Sequence, residues 1–221
     1  RQMCIRDRYI SGSSVTKTLL AVFPNTLKLT GFSLLIAVFF GILLGVLSAV
    51  NRGTFVDKFV MIFSMAGIAM PIFWTGILLI LLFSVKLRWL PPSGFSSFNA
   101  MIMPAFALGL QSSAIIMRMT RSSMLEVLNQ DYIETATAKG LKKQKIIFIH
   151  ALKNAMIPII TTIGLQAGGL LGGSVLTETV FSIPGIGRLM VESIKTRDLP
   201  VVLGGVISVS YTHLRAHETL R

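Results

Sequence analysis

The sequence predicts an all-α fold, a polytopic bundle of membrane-crossing helices. Composition is the first observation: 52% of the 221 residues are apolar and only 14% are charged, where a soluble domain carries roughly 25% charged residues. The second is a mean hydropathy of +0.73. The third is distribution. Apolar residues gather into runs near the length, about 20 helical residues, that crosses a hydrocarbon core of roughly 30 Å.

The runs cover residues 26–50, 59–85, 101–117 (shorter than the others) and 155–176, and a fifth starts near Leu199. Pro71 lies inside the second and should kink it, because proline lacks an N–H and clashes with the preceding turn. The Pro/Gly-rich turns "LPPSGFSS" (90–97) and "FSIPGIG" (181–187) follow the second and fourth. Gly41 and Gly45 are spaced by four, as are Gly164, Gly168 and Gly172. Small residues at that spacing let helices approach closely in lipid, and they could also line a pathway.

Both ends look foreign. "RQMCIRDR" (1–8) and "VSYTHLRAHETLR" (209–221) resemble translated sequencing-adapter DNA, so native sequence is expected over 9–208. Cys4, His213 and His217 then fall outside it, His150 is the one native histidine, and the tails hold three of the twelve net positive charges.

In a soluble protein, 21 Lys and Arg against 9 Asp and Glu would suggest nucleic acid. Here the cations sit mainly in short loops, so no nucleic-acid partner is expected. Arg52 and Lys58, with Arg118, Arg121, Lys139, Lys142, Lys143, Lys145 and Lys153 of the segment 118–153, lie on one side. Lys86, Arg88, Arg188, Lys195 and Arg197 lie on the other. The bias places 118–153 in the cytoplasm and implies a further span upstream of Tyr9. The acidic residues fall in loops or at run edges, which disfavours a proton-coupled carrier. There is no phosphate-binding loop, no paired-cysteine or H-E-x-x-H metal site and no nucleophile elbow. No catalytic residue, cofactor or metal site is expected.

Within 118–153, Asp131 and Glu134 have the D-x-x-E form of a capping box. A helix over 132–139 should follow, ended by Gly140 in the left-handed conformation that glycine tolerates. A second helix should run from about Lys142 into the fourth span. Ile133, Ala136 and Gly140 make one small apolar stripe. It suits a groove in a partner protein; a solvated loop and a helix lying on lipid are the other readings.

"ETATAKG" (134–140) resembles E-A-A-x-x-x-G, the cytoplasmic signature of ABC-importer permeases, with Thr135 replacing the first alanine. "DYIETATAKGLKKQKIIFIHALKNAMIPII", "PNTLKLT", "LPPSG", "LLGGSVLTETVFSIPGIGRLM" and "RDLP" are similar to its dipeptide/oligopeptide/nickel branch, in the same order. The general signature continues with Ile and Leu-Pro; this chain has His150 and Leu152-Lys153 there, as that branch does.

The resemblance implies a type I importer permease of about six spans, cut short at both ends, in a bacterial plasma membrane. It implies two cytoplasmic ABC ATPases, a second permease and an external solute-binding protein as partners. The cargo would be peptide, or a small solute such as nickel. Asp131, Glu134, Ala136, Gly140 and His150 would belong to the ATPase-coupling loop, with His150 a packing residue rather than a metal ligand. The alternative is a stand-alone transporter or channel.

Overall fold

The computed structural model describes residues 14–95 and 97–218. The tail 1–8 with Cys4, residues 219–221 and the side chains of His213 and His217 lie outside the described residues. Among the described residues every element is a helix: α1 (Val15–Val50), α2 (Phe55–Ala69), α3 (Ile72–Leu79), α4 (Phe98–Leu128), α5 (Asp131–Ala138), α6 (Leu152–Val180), α7 (Ile186–Lys195) and α8 (Leu199–Glu218). A π-helical stretch, Ile80–Lys86, continues α3; another, Ile146–Ala151, leads into α6 from a single turn at Lys143–Lys145. Among the described residues three helices are long and apolar enough to cross a membrane, or four if Phe55–Ala69 and Ile72–Lys86 together make one broken span.

The helices outrun the apolar runs that foretold them. α1 starts at Val15 rather than at residue 26, and α4 continues past Met117 to Leu128. Residues 118–128 are therefore helix rather than loop. Arg118 is exposed there, but Thr120, Ser123 and Met124 stay buried, so the inner face continues after hydropathy has fallen. Charges also lie further inside the helices than the runs suggested. Lys28 falls within the first run, and Asp57, Arg121 and Glu178 lie on α2, α4 and α6. Pro71 does more than kink the second run. Met70 takes the extended conformation favoured before proline, α2 ends, and Pro71 becomes the N-cap of α3.

The chain divides into two compact units. One comprises residues up to Leu34, Pro71–Leu108 and the chain from Ala167 onward; the other comprises Leu35–Met70 and Gly109–Gln166.

In the first unit a buried carboxyl group organises a turn. Glu178 is completely buried near the end of α6. Thr26 Oγ1 of α1 donates to its Oε1 at 2.8 Å and Ser174 Oγ at 3.1 Å, and the Arg188 backbone N–H donates to Oε2 at 3.1 Å. Thr26 Oγ1 also accepts the Ile186 N–H at 3.0 Å. The first N–H groups of a helix have no intrahelical partner, and its N-terminus favours negative charge. Gly185, the N-cap of α7, has no side chain to satisfy them, so Glu178 and Thr26 cap α7 from two other helices. The glycine is required by space: a Cβ at Gly185 would overlap the Glu178 carboxyl group. Asn25 Nδ2 donates to the Pro184 carbonyl at 2.9 Å and ties the same turn to α1.

In the second unit α1 and α4 meet through glycines. A Cβ at Gly41 would come within 2.7 Å of Ile116 Cγ2, and one at Gly45 within 2.8 Å of the Met117 carbonyl oxygen. This is the close approach that small residues at spacing four allow. Of the second ladder, Gly164 in this unit is half-buried; in the first unit Gly168 is buried and Gly172 half-buried.

Candidate coupling site

α5 is eight residues long, about 12 Å, too short to cross a bilayer. It begins one residue earlier than expected. Gln130, in extended conformation, is the N-cap, and no side chain makes a cap hydrogen bond. Asp131 is thus the first helical residue and not a cap; the D-x-x-E pattern instead puts two acids in the first turn, where they suit the helix dipole.

The helix ends at Gly140, whose φ is +74°. Its N–H donates to the Thr137 carbonyl at 2.9 Å, and the Leu141 N–H donates to the Ala136 carbonyl at 3.3 Å. These bonds satisfy carbonyls that a helix end otherwise leaves open. A Cβ at Gly140 would meet nothing within 4 Å, so glycine is needed there for its backbone and not for room.

Of the small stripe, Ile133 and Ala136 face inward, and Gly140 is exposed. Ile133 and Ala136 are buried within the chain, in one core with Val46 and Ala49 of α1, Met124 of α4, and Ile146, Ile147 and Ala151 of the π-helical stretch. Ala136 therefore packs inside its own chain. The same periodicity suits a partner's groove or the chain's own core, and the nearest apolar surface took it. The face of α5 open to solvent carries Asp131, Glu134, Thr135 and Ala138.

A polar contact supplements the core. Asn154 Nδ2 donates to Tyr132 Oη at 2.8 Å and to the His150 carbonyl at 3.0 Å. α5 is thus fastened to the first turn of α6 by Tyr132 on one side and by Ile133 and Ala136 on the other. His150 contributes its carbonyl and is half-buried on the π-helical stretch. No trio of His, Cys, Asp or Glu suited to a metal ion is found among the described residues.

Sequence reasoning missed an ion pair in the same unit. Asp57 of α2 is buried, and Arg121 Nε and Nη2 of α4 donate to its two carboxylate oxygens at 2.7 and 2.9 Å. Ser48 Oγ of α1 donates to Asp57 Oδ1, and the Gly53 N–H donates to Oδ2 at 2.9 Å. Three helices are cross-linked through one carboxylate. The fork of Arg matches a carboxylate in a way that Lys does not. The only hint in the sequence is an Arg at 121 one turn before the buried Met124; its partner is 64 positions away.

This architecture is a fold known from solved structures. A chain of the inward-facing MetNI methionine ABC transporter (CY5 native crystal form) superposes with TM-score 0.73 at 20% identity, over 93% of this chain and 96% of that one. A chain from the crystal structure of an amino acid ABC transporter with histidines gives 0.71 at 17% identity, over 93% and 92%. At such identity the likeness concerns the fold.

The family follows from sequence: residues 41–212 match the model of the binding-protein-dependent transport system inner membrane component, and the chain belongs to that family. Relatives include the di/tripeptide transport system permease protein DppB of Pseudomonas aeruginosa (strain UCBPP-PA14), 45% identical over 86% of this chain and 65% of that protein. The dipeptide transport system permease protein DppB of Escherichia coli (strain K12) is 43% identical over 85% and 65%. The glutathione transport system permease protein GsiC of the same strain is 42% identical over 91% and 66%. The chain spans about 65% of the length of these curated relatives.

Proposed function

We propose that this chain is the transmembrane subunit of an ATP-driven importer for short peptides or a related small solute, working by alternating access. The chain carries no catalysis; two cytoplasmic ABC ATPases supply the energy. A second, homologous permease completes the path, and an extracytoplasmic solute-binding protein delivers the cargo. The names of the relatives, dipeptide, di/tripeptide and glutathione transport permeases, support the choice of cargo class.

One observation carries the mechanism. α5 is too short to span, is exposed on an acidic face, and is fastened through Tyr132, Ile133 and Ala136 to the start of α6. Such a helix converts a partner's movement into tilt of a membrane-crossing helix. In this reading α5 lies in the cytoplasm, where the lysines around it hold it. Glu134 meets the ATPase, Ala136 transmits from beneath, and Gly140 sets the turn. Gly164, Gly168 and Gly172 serve helix packing, and His150 is a packing residue.

Glu134→Arg tests the reading, since it alters only the exposed face. Membrane insertion and thermal stability are expected unchanged, while ATPase co-purification and peptide uptake fall roughly tenfold or more, as at interface hot spots. Retention of both by Glu134→Arg would overturn the coupling role.

A further inference from the structure

The coupling reading leaves unused a groove in the second unit. Its volume is about 460 Å³, within the range of ligand clefts. One wall is α1, with Leu43, Val46, Leu47 and Val50; the other comes from the chain entering α6, with Phe148 and Leu152. Its lining is almost wholly apolar, and Leu43, Leu47 and Phe148 remain largely exposed.

The ends of both walls carry cations. Arg52 stands two residues beyond Val50, and Lys145 immediately precedes the π-helical stretch that carries Ile147 and Phe148. Both are exposed, and among the described residues neither has a carboxylate within ion-pair distance. The nearby Asp57 is already held by Arg121. An apolar trough whose two walls each run, within two residues along the chain, to an exposed cation without an ion-pair partner among the described residues matches one ligand chemistry. It takes a hydrocarbon chain bearing an anionic phosphate head.

We propose that this groove is a binding site for an anionic phospholipid, with one acyl chain along Leu43, Leu47 and Phe148 and the phosphate between Arg52 and Lys145. Cations adjoining a membrane helix attract anionic lipid in this way. The site goes beyond the importer reading and does not depend on it.

The test is capture in native bacterial membranes. The full-length chain carries a photo-crosslinking amino acid at Leu43, and a reference version carries it at Ile160, which is exposed on α6 outside the groove. Adducts are identified by mass spectrometry. Phosphatidylglycerol or cardiolipin should be enriched at Leu43 over Ile160 on the order of tenfold, given two cations near the head. The Arg52→Gln/Lys145→Gln variant should return capture at Leu43 to the reference proportion, with insertion unchanged. Three outcomes each overturn the site: equal lipid composition at the two positions, a polypeptide adduct at Leu43, or enrichment that survives the double substitution.

Discussion

Asp57 and Glu178 are both buried carboxyl groups on helices, one in each unit, and they are answered differently. Asp57 faces a guanidinium that makes two hydrogen bonds to it. Glu178 has no cation within ion-pair distance among the described residues; the Arg188 guanidinium turns instead to Glu192, and only its backbone N–H serves Glu178. Two hydroxyl groups and the N-terminus of α7 do the rest. The first solution needs a long side chain from a distant part of the sequence. The second needs close main-chain approach, which is why Gly185 stands against the carboxyl group. A partner of opposite charge and a helix N-terminus are interchangeable as solvents for a buried carboxyl group, but they fail differently when damaged.

The largest effect is expected at the ion pair. Removing one partner of a buried pair costs about 3–5 kcal/mol, because the other is left uncompensated. The two removals should be unequal. The Arg121 side chain keeps 24% of its surface and Asp57 only 7%, so a stranded arginine can reach water and a stranded aspartate cannot. Arg121→Ala is therefore expected to lower the thermal unfolding midpoint in detergent more than Asp57→Ala, and the double variant should be more stable than Arg121→Ala. If the double variant is the least stable of the three, the stranded-charge account is wrong.

At Glu178 the expected effect is smaller and of another kind. Gly185→Ala forces a methyl group into the carboxyl group's position, and overpacking of this sort costs about 1–3 kcal/mol. In a Glu178→Ala background the same substitution should cost much less, since the space is vacated. Contacting residues couple in this way, and thermal midpoints of the four proteins measure it. Additive losses would show that Gly185 is required for something other than Glu178.

These two sites also mark what the sequence discloses. The apolar runs fall on helices but do not mark the helix ends. Hydropathy averages over all faces and falls at Arg118, while the buried face of α4 goes on through Thr120 and Met124. The break after α2 was legible at Pro71, since proline acts through its own covalent geometry. α5 was legible to within a residue for the same local reason, with Gly140 as its stop. Whether Ala136 faces a partner or its own core was not, because a small stripe fits either. The Asp57–Arg121 pair joins positions 64 apart, and no local pattern encodes such a contact. Glu178 read as a loop-edge acid because the turn it organises includes a hydroxyl from Thr26, 152 positions away.

The turn after α5 gives the baseline for both carboxyl groups, because there main-chain conformation acts without any buried charge. Gly140 holds φ at +74°, and a Cβ would touch nothing within 4 Å. Any loss on substitution therefore reports backbone conformation and not crowding. A side chain forced into the left-handed region costs roughly 1–2 kcal/mol, and Asn is tolerated better than other residues because its short polar side chain bonds locally. Gly140→Leu should lower the thermal midpoint measurably, by less than Arg121→Ala does, and Gly140→Asn should stay close to the parent. The order matters more than the size. If Leu and Asn at 140 prove equally stable, the positive φ is not what the glycine supplies. The close approach at Gly185 would then be the one place in this comparison where main-chain geometry, rather than charge, sets the stability.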